Sequence, residues 1–148
     1  MSKTELILEA LFTGADEEEI KRRDAEAPKV MLQEWIEKFL DRDDVKKNSD
    51  GSYDVDGDVR LVNLKLTKLP LKFNHVSGYF WCHNNQFTTL EGAPKTVGGG
   101  FWCSSNNLTS LEGAPKTVGG NFWCTNNQKK FTEAEVRAVS NVKGHFYV

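Results

Sequence analysis

The feature that most constrains this chain is a repeat. Phe-Trp-Cys occurs as Phe80-Trp81-Cys82, Phe101-Trp102-Cys103 and Phe122-Trp123-Cys124, each copy 21 residues after the last. A unit of that length is too small to bury its own apolar side chains, so copies must stack on one another. Val76, Val97 and Val118 open three units in register. Val55 opens a divergent earlier one, in which Val59 takes the Phe slot, Arg60 the Trp slot and Leu61 the Cys slot. Leu66 matches Phe87 and Leu108, and Leu69 matches Leu90 and Leu111. The end of the chain, 142–148, reads as a last strand with Phe146 and Val148 inward and Tyr147 outward. Each unit is expected to hold one short strand, an Asn-rich bend and a Gly/Pro connection. About five rungs spaced by ~4.8 Å then form a short solenoid.

Neighbours on a strand face opposite sides, so Phe and Cys share one face and Trp takes the other. Arg60 decides which is which, because a charged residue does not share a fully buried slot with its equivalents. Phe and Cys are therefore predicted to face the core. The outward row becomes Arg60, Trp81, Trp102, Trp123 and Tyr147, flanked on one side by His83, Ser104 and Thr125 and on the other by Tyr79, Gly100, Asn121 and His145. Contiguous exposed aromatics mark a contact surface. The competing explanation is that these rings stack to stabilise the sheet, or lie under the N-terminal helices. Asn85, Asn106 and Asn127 recur at the bend, where an amide side chain can satisfy backbone groups left unpaired; Leu64 takes that slot in the first unit. Gly78, Gly99 and Gly120 recur where the chain needs either a positive φ or a close approach.

Ahead of the repeat the pattern turns helical. Ser2 and Glu5 form a capping box, with Met1 stapled to Leu6 and Gly14 as the stop. A second short helix begins near Asp16, acidic first and basic last. A third is expected to start at Pro28, with Met31, Leu32, Trp35, Ile36, Phe39 and Leu40 on its apolar face. Residues 1–48 are thus read as a helical N-terminal domain and 49–148 as the solenoid, with a turn at Asn48-Ser49-Asp50-Gly51. A helical insertion at 131–139 is signalled by a Thr132/Glu135 capping box and a Phe131/Val136 staple. The fold class is α+β: an N-terminal helical cap, then the stacked rungs.

The run Phe101-Trp102-Cys103-Ser104-Ser105-Asn106-Asn107-Leu108 resembles the L-x-L-x-x-N-x-L core of a leucine-rich repeat, with Phe and Cys in Leu slots. "NNLTSLEGAPKTV" is similar to the short bacterial effector type of that family. The Gly-rich, Cys-bearing unit also resembles repeats in small proteins of tailed bacteriophages. The resemblance covers residues 55–148. It implies a stacked-strand fold, a non-enzymatic protein-binding role and, for a phage protein, a host partner to be inhibited or redirected, such as a defence or nucleic-acid enzyme.

The remaining signals exclude more than they assign. No apolar run approaches the ~18 residues of a membrane span, and the N-terminus lacks a secretion pattern, so a cytoplasm is expected, the host's if the protein is viral. Cys82, Cys103 and Cys124 are odd in number and evenly spaced, which fits a repeated structural slot in a reducing compartment and neither a disulfide framework nor a metal motif. Asp54, Asp56 and Asp58 alternate but lack the Gly and Glu positions of a calcium loop. His75, His83 and His145 lie in different units, no catalytic set emerges, and no cofactor motif is present. Residues 1–50 carry nine Lys and Arg against fourteen Asp and Glu, and residues 51–148 carry ten against seven. That weak basicity ranks single-stranded nucleic acid, or a glycan stacked on the Trp row, behind a protein partner. Self-association as a homodimer, with Trp102 near its centre, is the third reading.

Overall fold

The computed structural model describes residues 23–148, and the side chains of its first helix from Val30 onward; the two helices expected before residue 23 lie outside the described residues. Two compact units divide between Asp43 and Asp44. In the first, α1 (Arg23–Leu40) begins ahead of Pro28, contrary to the expected start. Ala25, Glu26 and Ala27 are good helix formers, and Pro28 forfeits only one bond near the helix start. Leu32, Ile36 and Phe39 are buried and Trp35 stacks on Phe39 at 4.9 Å. Met31 is 50% exposed, not part of the apolar face. It sits ~100° around the helix from Leu32, outside the Leu32/Ile36/Phe39 stripe.

The second unit starts before residue 49 because β1 (Val45–Lys47) pairs antiparallel with β2 (Tyr53–Val55). The turn between them is held by Gly51 N–H to Asn48 C=O at 3.1 Å, with Gly51 at φ +87°. After β2 come β3 (Val59–Arg60), β4 (Phe73–Val76), β5 (Phe80–Trp81), β6 (Thr96–Val97), β7 (Phe101–Trp102), β8 (Thr117–Val118), β9 (Phe122–Trp123), α2 (Glu133–Val139), β10 (Asn141–Val142) and β11 (Phe146–Tyr147). They form two sheets, β1-β2-β4-β6-β8-β10 and β3-β5-β7-β9-β11, parallel throughout except for β1 with β2. The architecture is a β-solenoid of about five turns at 21-residue spacing, and the chain is α+β.

Each turn therefore carries two strands, where one was expected. The connection after Pro94 and Pro115 contains a β-branched pair, Thr-Val, and its valine points inward: Val76, Val97 and Val118 are buried in register on the first sheet. The second sheet lines the core with Val59, Phe80, Phe101 and Phe122, all fully buried, and with Leu61 and the three cysteines behind them. The Phe rings stack up the axis, Phe80 on Phe101 at 5.6 Å and Phe101 on Phe122 at 5.3 Å. Phe73 meets Phe80 edge-on at 5.1 Å, which joins the two sheets across the interior. In the last rung the expected burial fails, since Phe146 is half-buried and Val148 is exposed. A terminal rung has a neighbour on one side only.

Asn85, Asn106 and Asn127 hold the bends together as an internal ladder. Asn106 Nδ2 donates to the carbonyls of Cys82 (3.1 Å), Cys103 (3.0 Å) and Ser104 (3.2 Å), while its Oδ1 accepts from Phe87 N–H at 3.2 Å. Asn85 and Asn127 make equivalent bonds, Asn85 Oδ1 also accepting from Leu64 N–H. The residue before that slot, which Leu64 fills in the first unit, is left-handed in all four units, Asn63, Asn84, Ser105 and Asn126 lying at φ 54–58°. Asn tolerates that conformation best after Gly. Gly78, Gly99 and Gly120 serve close approach and not positive φ: a Cβ on Gly99 would lie 2.9 Å from the backbone of Gly78.

Thr132 caps α2 by accepting from Glu135 N–H at 3.2 Å, and Phe131 and Val136 are both buried, as the capping box and staple require. Among the described residues no helix is long and apolar enough to cross a membrane.

Candidate recognition strip

The parallel register of the second sheet sets the outward residues in a line: Arg60 beside Trp81, Trp81 beside Trp102, Trp102 beside Trp123, and Trp123 beside Tyr147. In the first four rungs the residues on either side of each are buried, whereas the three indoles are half-buried and Arg60 and Tyr147 exposed, the latter by 42%. The polarity read from Arg60 is what the structure has.

The rings are organised as a stack. Trp102 lies between His83 (4.3 Å between ring centroids) and Trp123 (5.1 Å), and Trp123 in turn packs on Tyr147 at 5.2 Å, with planes within 26° of parallel throughout. Tyr79, 45% exposed, stacks on Trp81 at 5.2 Å within its own strand segment. Offset stacking of this kind is favourable between aromatic quadrupoles. Its consequence is geometric: neighbouring rings cover much of the faces of Trp102 and Trp123, so a visitor meets mainly ring edges.

Two supporting residues, Asp58 and Val62, were not placed in the strip from the sequence, and Gly100, placed there in a flanking column, has a packing role. Gly100 makes room for the stack, because a Cβ there would come within 2.8 Å of Trp123 Cζ3 and 3.2 Å of Tyr79 Cδ1. Asp58 and Val62 complete the flanking columns on the first rung, and the Asp58 carboxylate accepts from Tyr79 N–H at 2.7 Å. Their offset of 21 residues from Tyr79 and His83 is the signal that would have found them. The same trick recurs at the far end, where Asn121 Oδ1 accepts from His145 N–H at 2.8 Å. On the His83 side, Ser104 is buried and its hydroxyl accepts from Thr125 N–H at 3.1 Å. His83 is held below the usual imidazole pKa by burial and, second, by the Arg60 charge, so its ring is neutral near pH 7.

The other candidate chemistry is accounted for within the fold. The cysteines are buried free thiols whose pKa burial raises in every case; Cys124 is pushed up to about 12 by burial and, less, by the Glu135 carboxylate. Thiols of this kind are poor nucleophiles. Asp54 accepts from Asn74 Nδ2 at 2.8 Å and Asp56 from Ser77 Oγ at 2.9 Å, so with Asp58 all three alternating carboxylates bind the next rung. Among the described residues no group of three His, Cys, Asp or Glu side chains converges as a metal site would. No family model, curated protein or solved structure matches the chain.

Proposed function

We propose that this is a non-enzymatic protein-binding module and that the stacked strip on the second sheet is its contact surface. The observation that carries the reading is a row of aromatic side chains left half-exposed while the Phe and Cys on either side of each Trp are fully buried. Large aromatics in a contiguous exposed patch supply contact area at low entropic cost, which is why they dominate protein interfaces. Arg60, Tyr79, Trp81, His83, Trp102, Trp123, His145 and Tyr147 form that surface. The resemblance to leucine-rich repeats points to the same role. The resemblance to phage proteins extends it to a host protein in the host's cytoplasm, inhibited or redirected by the complex.

Stacking on bases or sugars has less support. Such ligands need open ring faces, and the faces of Trp102 and Trp123 are largely occupied by neighbouring rings. Arg60 is also the only fixed cation on the outward positions of that face.

Affinity purification from the native host tests the reading, comparing the wild type with a variant carrying Trp81→Ser, Trp102→Ser and Trp123→Ser together. A specific protein retained by the wild type and lost by the variant supports it, provided circular dichroism shows the solenoid intact. Identical retention by both chains overturns it.

A further inference from the structure

We propose that a second copy of this chain is a partner of the strip, docked face to face with the rungs in opposite order; the inference rests on reading the strip as a protein-binding surface. The argument is one of register. Two sheets meeting face to face in a symmetric pair are related by a two-fold axis lying in the plane between them. An axis along the strands and through β7 keeps each column of side chains and reverses the rungs, so β3 meets β11, β5 meets β9 and β7 meets itself.

Under that operation the strip is complementary to itself. In the central column Arg60 lies against Tyr147 of the second copy, a cation over an exposed ring, Trp81 lies against Trp123, and Trp102 sits on the axis. In one flanking column Asp58 faces His145, an acid opposite a base, and Tyr79 faces Asn121, a phenol opposite an amide. In the other, His83 faces Thr125. No like charges oppose one another. Gly100 is also on the axis but is buried, and the Trp123 and Tyr79 rings packed over it fill the centre of that column.

The alternative symmetric arrangement, with the axis along the solenoid, is self-defeating. It would set Arg60 on Arg60, and opposed like charges are costly at an interface. The charge distribution thus selects one of the two pairings.

The contact is small. Five rungs cover ~19 Å along the solenoid and three alternate residues ~13 Å across it, a footprint of about 250 Å² per copy and about 500 Å² for both, below the size of a stable specific interface. A weak, concentration-dependent dimer is expected, one that yields the strip to a tighter partner.

Sedimentation equilibrium of the full chain over a wide concentration range tests this. The expected result is a monomer–dimer equilibrium in which Arg60→Glu raises the dissociation constant at least about tenfold, since symmetry counts the substitution twice. The double variant Arg60→Glu/Tyr147→Arg places the charges the other way round and is expected to return the constant to within about threefold of the wild type. Circular dichroism of each variant establishes that it is folded. A wild type monomeric at every concentration, a dimer indifferent to Arg60→Glu, or a double variant no better than the single one overturns the proposal. If the chain is monomeric but its strip still retains a protein that the triple Trp variant loses, self-association alone fails; if neither occurs, the binding-surface reading fails with it.

Discussion

At the scale of single residues the buried amides matter most. Asn106 satisfies the Phe87 N–H and adds a donor to the carbonyls of Cys82, Cys103 and Ser104, and it does so from a side chain that is almost wholly buried. Removing it leaves the Phe87 N–H unpaired away from water and takes one of two donors from each carbonyl, at about 2 kcal/mol. For Asn106→Ala we therefore expect the unfolding free energy from urea titration to fall by that amount, a sizeable fraction of a typical domain's stability. The amide repeat was legible in the sequence as a recurring Asn at a bend. Its reach to the Phe87 N–H and the Cys82 carbonyl was not, because those belong to the preceding rung, about twenty residues away.

At the scale of elements, each two-residue strand is too short to specify its own position, and parallel neighbours on both sides supply the register. That register aligns the rings, and Gly100 gives them their tilt. A methyl group at Gly100 would force the Trp123 ring aside while lying 3.2 Å from the Asn121 carbonyl, a contact that backbone movement of a few tenths of an ångström relieves. Gly100→Ala is therefore expected to cost little stability, below about 1.5 kcal/mol, yet to diminish the exciton couplet of the stacked indoles in circular dichroism. An unchanged couplet would mean that Gly100 does not set the stack. The strip was legible as a row of Trp from one charged equivalent, Arg60. The second strand of each turn was missed because Thr-Val after a Gly-Ala-Pro-Lys corner is too short a run to show alternation.

At the scale of the whole molecule, burying three thiols along one axis couples stability to pH. Burial holds Cys82 and Cys103 protonated in the native state well beyond the ordinary thiol range, while in the unfolded chain they ionise above about pH 8.5. Unfolding then releases protons. The stabilising contribution is complete below pH 8.5 and is lost as pH rises from there towards the native values, at up to about 1.4 kcal/mol per pH unit for each thiol. Urea unfolding at pH 8 and pH 10 should show that slope, and Cys103→Ala should reduce it by one thiol's share; a slope unaltered by the substitution would place the ionisation elsewhere. The sequence by itself determined the period, the inward Phe and Cys, the outward Trp and the capped C-terminal helix. Each follows from local alternation or from identity between units, and both can be read along one dimension. Tertiary structure alone decided the second strand per turn, the partners of the buried amides, the shallow burial of the last rung and the ring-on-ring stack. These depend on what the neighbouring rung places within a few ångströms, a distance that a linear pattern does not contain.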